Sequence, residues 1–471
     1  MIDKKFEYPL KPHTKIIATD IDYYELFKYI QSKFDTCYMY ESLSQIKHQD
    51  YNVSIGFSPM FTVKAKNKSL QFKGDLSLLC SDSNTREFLQ EVENPYYFLR
   101  NIFPQNCYSK TRQGGLIGYF SHETINHIEP SINLEEHKNF GCFELGFYDD
   151  GLIYNTMTGT LEYYYYLTDR SKEVEELVKK SIEAPIQLNN LDEVTSFGNN
   201  ISKEEYKEIF EYSLEEIKKG NTFQVEVGVK TKYHIKGNKF IIYDKLRQIN
   251  PTPLMFFVKF ENRTLLGASP ELLISCAGKK VLTSPAAGTA KRGETPKEDI
   301  QLARALLSDP KEIAEHSMLV DQHRNDIGRV SKNGSVRIDN LMYLIKFSHV
   351  QHIASDIVGQ KDEKYDALDV LACILPGGVL TGAPKIETIK IIDRNEKEPR
   401  GPYGGAVGRF SFNGDCSFCL PIRSLFCHDD DCFAQTCSGV VLDSKMEHEY
   451  LEVERKLQAM KVVIEELEKN T

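Results

Sequence analysis

TFQVEVGVKTKYHI, residues 222–235, places Phe223, Val225, Val227, Val229, Thr231, Tyr233 and Ile235 at alternate positions. Period two over this length predicts a long, half-buried strand in an antiparallel sheet. The residues just before it follow another period. Ser202 and Glu205 have capping-box spacing, Tyr206, Ile209, Phe210, Leu214 and Ile217 share one helical face, and Gly220 is placed to end that helix. Outward on the N-terminal side, NVSIGFSPMFTVKA (52–65) and LEYYYYL (161–167) read as strands. Asp169–Lys180 reads as a surface helix, and polar Gln187–Asn200 as a linker. On the C-terminal side, helices are predicted over Glu298–Leu307, Lys311–Asp321, Asp366–Ile374 and Glu447–Lys469. Strands and helices mix without regular βαβ alternation, so the class is α+β. The linker divides the chain into segments 1–190 and 200–465.

Composition narrows the function. The 471 residues are 41% hydrophobic and 27% charged, with a net charge of −10. That balance is globular and argues against nucleic acid, whose binders carry a basic footprint. No apolar run reaches membrane-spanning length, and the first residues lack the apolar core of a signal peptide, so a cytoplasmic location is expected. Eleven scattered cysteines make a poor disulfide framework and fit a reducing compartment. Cys416-x-x-Cys419 has metal-ligand spacing, but SFCLPIRSLF reads as buried strand, where cysteine packs as a small hydrophobe.

Several polar residues stand out. Glu312 and Glu315 form one i, i+3 pair on a predicted helix. Glu449 and Glu452 form another, with Lys456 one turn on. Brought together, four carboxylates would repel unless a hard cation such as Mg²⁺ sat among them; a solvated helix face is the alternative for either pair alone. Glu271 interrupts the strand-like LLGASPELLIS. His352 lies near His349 in apolar text, and Arg423 is either a core ion-pair partner or an anion clamp. In TSPAAGTAKRG (283–293), Gly288 frees the backbone to approach a ligand, and Lys291 and Arg292 could attract an anion. PGGVLTGAPK (376–385) fits neither a Walker A loop nor GxGxxG. These features together suggest a Mg²⁺-dependent enzyme acting on a small carboxylate or phosphate.

In order along the chain, SPE (269–271), PAAGTAKRG (285–293), AEHSMLVDQHRNDIGRV (314–330), HVQHIAS (349–355), GAPK (382–385), RGPYGGAVG (400–408) and DSKMEHEYLEVERK (443–456) resemble the blocks of the chorismate-utilising enzymes. The first half resembles that family's N-terminal domain more loosely, through YMYESL (38–43) and GGLIGYF (114–120). The resemblance implies two orthogonally packed antiparallel sheets flanked by helices, with the N-terminal segment intertwined with a chorismate-binding core. It gives Glu312, Glu315, Glu449 and Glu452 the Mg²⁺ ion. Arg423, Tyr403 and Lys456 contact the substrate carboxylates. Gly288, Thr289, Gln224 and Gly439 line the pocket, and Thr289 joins the catalytic group. Glu271 is the acid that protonates the departing hydroxyl, and His352 the base that removes the ring proton as pyruvate leaves.

Two positions separate family members. Water-adding members carry a lysine base where this chain has Gln224, which argues against isochorismate and salicylate synthesis. Aminodeoxychorismate synthases of the usual kind carry a nucleophilic lysine where it has Ala287. A pocket lacking both leaves room for ammonia and is similar to that of anthranilate synthase large components. Ammonia implies a separate glutamine amidotransferase subunit, hence a hetero-oligomer, since no glutaminase elbow is present. Glu41, Ser42, Pro253, Leu254 and Met255 resemble a tryptophan feedback site, with Leu254 where tyrosine is common. The chain itself contains no tryptophan. Val379 and Cys437 depart from the usual Thr or Ser and Gly, with Thr381 or Ser438 as candidates to compensate. Those departures leave room for an enzyme that stops at an aminated intermediate. A non-catalytic regulatory subunit is the opposing class.

Overall fold

Two antiparallel sheets are each assembled from early and late parts of the chain, in a computed structural model describing residues 2, 8, 11–44, 52–104, 107, 109, 112–347 and 350–469. His349 therefore lies outside the described residues. In the first sheet, N-terminal strands such as Asn52–Phe57 and Cys37–Glu41 run into Leu254–Phe260, Arg263–Ser269, Ser424–His428, Asp431–Val440 and Gln224–Lys236. The second runs from Ala286–Lys291 through Val350–Gln360, Leu272–Ala277 and Cys416–Cys419 to N-terminal Gly115–Phe120 and Phe143–Tyr148. One apolar core contains residues of both sheets, among them Phe256, Phe260 and Phe426 of the first and Tyr119, Ile274 and Phe418 of the second. A second core packs the first sheet against the helices Tyr23–Lys33, Lys203–Lys218, Phe240–Ile249 and Met446–Glu468.

Local chemistry explains where the helices begin. The Ser202 hydroxyl accepts from the Glu205 amide at 3.1 Å, and the Ser202 amide donates to the Glu205 carboxylate at 2.7 Å. That helix stops at Lys218, and Gly220 turns away with φ +80°. The helix Pro310–Gly328 is capped by Asp309, which accepts from the amides of Lys311 and Glu312, and proline occupies its first turn. The other predicted C-terminal helices are Pro296–Ser308, Ala367–Ala372 and Met446–Glu468.

The structure differs from the expectation in two places near the site. The strand predicted over 222–235 is Gln224–Lys236; Phe223 precedes it and is 69% exposed. Residues Gln224 to Thr231 are buried on both faces, polar Gln224, Glu226 and Lys230 included. Alternation therefore marks two environments inside the protein, one apolar against helices and one polar toward a cleft. Second, the predicted linker contains the strand Glu193–Asn199, which pairs antiparallel with Gln224–Lys236. Its polar side chains are those of a sheet edge, where one row faces solvent.

Candidate active site

The first turns of two helices supply the acidic side chains. Asp309 and Pro310 start one helix so that Glu312 falls in its first turn and Glu315 one turn deeper. On Met446–Glu468, Glu449 likewise falls in the first turn and Glu452 three residues further on. The two pairs meet. The Lys311 ammonium lies 3.7 Å from Glu449, and the carboxylate of Glu452 raises the pKa of both Glu312 and Glu315. Burial, then the neighbouring Glu315, pushes the Glu312 carboxyl up to about 7. Burial likewise raises Glu315 and Glu449. Ser444 donates to Glu449 at 2.8 Å and orients it.

Gln224 and Glu226 point from the strand into the same cleft, two residues apart on one face. The Gln224 amide donates to Glu226 at 3.0 Å and to Glu315 at 3.4 Å. Gly439 stands opposite Glu226, and a Cβ there would lie 2.3 Å from the Gln224 amide nitrogen. Glu226 was not singled out from the sequence. Burial pushes it up to about 7. Its signal was available: by period two it shares a face with Gln224. Lys456 donates to the Cys437 carbonyl at 3.0 Å and pairs with Glu452 at 2.7 Å. Burial works against its charge, but Glu452, Cys437 and Glu226 outweigh it and hold its pKa up. Its side chain is 43% accessible.

Glu271 occupies the break between Arg263–Ser269 and Leu272–Ala277 and is 3% exposed. Burial pushes its carboxyl up to about 8, against the Ala286 amide, Arg423 and Lys456. His352 sits opposite Thr289 in the pairing of Ala286–Lys291 with Val350–Gln360. Its Nδ1 lies 3.1 Å from the Gly288 carbonyl and 3.0 Å from the Thr289 hydroxyl. A carbonyl only accepts, so Nδ1 carries the proton and Nε2 the lone pair. Burial and Arg423 lower the imidazole to about 3, which keeps it neutral. Arg423 is held at φ +52°, a strained conformation for this residue. Burial lowers its guanidinium to about 10, and it makes no ion pair within 4.0 Å among the described residues. Its electrostatic partner is the Glu271 carboxyl.

Several of the groups singled out above have partners within the chain. The Tyr403 hydroxyl donates to the Cys437 thiol at 3.0 Å. Thr381 donates to the Gly377 and Gly378 carbonyls, and Ser438 bonds Tyr206, so both hydroxyls are engaged. Arg292 makes two bonds to Asp299 and one to the Phe347 carbonyl, while Lys291 lies 3.9 Å from Glu298; the basic pair braces the loop. Gly288 has φ +71°, and a Cβ there would lie 2.7 Å from Glu312. Cys416 and Cys419 are buried free thiols in one strand.

Separately, Glu41, Ser42, Pro253, Leu254 and Met255 line one cavity of about 130 Å³, with residues of both sheets around it. Glu41 is already satisfied there: Tyr243, Tyr23 and Arg247 all donate to it.

Set beside known proteins, residues 35–462 match the chorismate binding enzyme family, and the chain belongs to it. It is 40% identical to anthranilate synthase component 1 of Leptospira biflexa, over 98% of each chain. It is 37% identical to the component 1 of Methanothermobacter thermautotrophicus, over 93% of this chain and 91% of that one. Its fold superposes on the crystal structure of anthranilate synthase component I from Streptococcus pneumoniae with a TM-score of 0.74. That match has 27% identity and covers 89% of this chain and 93% of the other.

Proposed function

We propose that this chain is the aminating subunit of an anthranilate synthase, converting chorismate and ammonia to anthranilate and pyruvate. Ala287 carries the reading. It precedes Gly288 and Thr289 and pairs with Ile353, next to His352, where an attacking lysine is expected in aminodeoxychorismate synthases. Its methyl group cannot attack the ring, and the amide of Gln224 cannot act as a base toward water. Ammonia is the nucleophile this pocket leaves room for.

The remaining groups fit that chemistry. Glu271, held up to about 8, is protonated at neutral pH and can donate to the departing hydroxyl. A substrate carboxylate drawing Arg423 into a charge-assisted pair would free Nε2 of His352 to take the ring proton. Glu312, Glu315, Glu449 and Glu452 would hold Mg²⁺. Their oxygen donors and mutual repulsion suit a hard divalent cation. Bound there, it would neutralise the ring carboxylate and stabilise charge developing on it. A separate glutamine amidotransferase subunit would supply the ammonia. Tryptophan would act at the cavity of Glu41 and Ser42, its amino group competing with Arg247 for Glu41.

The contact between Cys437 and Tyr403 favours a second reading, because it removes a hydroxyl from substrate carboxylate binding. An enzyme with that weaker hold could release the aminated intermediate. Incubation of the chain with chorismate, Mg²⁺ and ammonium at mildly alkaline pH decides between them. Fluorescent anthranilate is expected. A non-fluorescent aminated product would favour the second reading, and no product would defeat both.

A further inference from the structure

Away from this cleft, three side chains of different chemistry converge near the N-terminal end of the strand Phe143–Tyr148. His127 ends the short helix His122–His127, Glu136 comes from the following loop, and Cys142 directly precedes the strand. The Cys142 sulfur lies 3.3 Å from His127 Nε2 and 3.0 Å from Glu136 Oε1, and one ligand atom from each falls within 4.8 Å of the others. Among the described residues this is the only such group of three. We propose that His127, Glu136 and Cys142 form a zinc site.

The dimensions suit the ion. Zinc bonds sulfur at about 2.3 Å and nitrogen or oxygen at about 2.0 Å, so tetrahedral ligand atoms lie roughly 3.5 Å apart. The two sulfur contacts would lengthen by a few tenths of an ångström, while His127 and Glu136, which lie within 4.8 Å of each other but form no ion pair, would draw together. One thiolate, one imidazole and one carboxylate form a borderline-soft set that matches Zn²⁺ better than Mg²⁺. With Cys142 and Glu136 ionised and His127 neutral, the dipositive ion is balanced, the thiol proton passing to solvent. A water molecule completes the fourth position. Outer contacts hold the ligands: the Asn67 backbone N–H donates to both Glu136 oxygens at 2.9 Å, and the Asn94 side chain donates to the His127 backbone carbonyl at 2.7 Å. Cys142 is buried, whereas His127 and Glu136 are partly exposed and leave an entry path.

The site would be structural. On the same helix, the His122 amide donates to the Gly401 carbonyl at 2.7 Å, and Glu123 accepts from the Gly401 amide at 3.0 Å. Gly401 lies two residues before Tyr403. Zinc would therefore brace the loop that presents Tyr403 to the cleft.

The test uses the full chain, stripped with a chelator and titrated with Co²⁺ under saturating Mg²⁺. One equivalent of Co²⁺ should bind with a thiolate-to-cobalt charge-transfer band, and Zn²⁺ should displace it. Cys142→Ser should abolish the band, and His127→Gln should weaken Co²⁺ binding by more than about 10-fold, the least that loss of an outer-shell partner costs. Absence of the band in the wild-type chain, or its survival in Cys142→Ser, would overturn the site and leave a hydrogen-bonded triad. Should Cys142→Ser fail to fold by circular dichroism, His127→Gln decides, and unchanged Co²⁺ affinity there would sink the idea. The readout is metal binding, so it is independent of the reaction the cleft performs.

Discussion

Arg423 Nη2 stands 3.2 Å from Nε2 of His352, so one buried cation faces the lone pair of one neutral imidazole. Anion binding and proton abstraction are therefore coupled through a single contact. Replacing Arg423 by Gln should raise KM for chorismate by about 10- to 150-fold, the equivalent of about 1.5–3 kcal/mol for a hydrogen bond to a charged group. His352→Ala should instead lower kcat with a much smaller change in KM. Steady-state kinetics of both variants check this; identical KM values for Arg423→Gln and the wild-type chain would remove the clamp.

Glu271 should set the alkaline limb of the pH profile. Burial raises its pKa to about 8, so the acid form dominates below that value and is lost above it. At a fixed concentration of free ammonia, the rate should fall as pH rises through about 8. Glu271→Gln should lose most activity and the alkaline limb with it. A near wild-type rate in that variant would show that the leaving hydroxyl takes its proton elsewhere.

Mg²⁺ binding should strengthen as pH rises through about 7. Before the ion binds, burial and mutual repulsion favour protonated Glu312, and the proton must leave before the cation can bind. Calorimetric titration on either side of pH 7 measures the shift, with protons released at the lower pH. Glu312→Gln should weaken the ion and flatten this dependence. Gly288→Ala should also weaken it, because a Cβ at φ +71° would press on Glu312.

Cys437→Ala should release the Tyr403 hydroxyl and lower KM for chorismate several-fold. One hydrogen bond gained by the substrate is worth about 0.5–1.5 kcal/mol. Cys437 is buried in the strand Asp431–Val440, opposite Gly228, so the smaller side chain fits. An unchanged KM would mean that Tyr403 does not touch the substrate.

Local periodicity and capping were enough to read the elements nearest the quoted strand. The Ser202–Glu205 box, the turn at Gly220 and the alternation through Ile235 each depend on neighbours a few residues apart. The i, i+3 glutamate pairs were legible for the same reason, as were Gln224 and Ala287 once the motif blocks were recognised. Phe223 was misread because alternation does not mark where strand pairing begins, and the strand Glu193–Asn199 because polarity does not distinguish a linker from a sheet edge. Only the tertiary structure joins the two glutamate pairs. It also gives the Tyr403 hydroxyl to Cys437, turns Arg423 toward His352, and gathers His127, Glu136 and Cys142. These relations join separate segments and depend on how the sheets and helices pack. Sequence by itself determined which residues could carry the chemistry; packing decided which of them meet, and burial decided the charge each carries when it does.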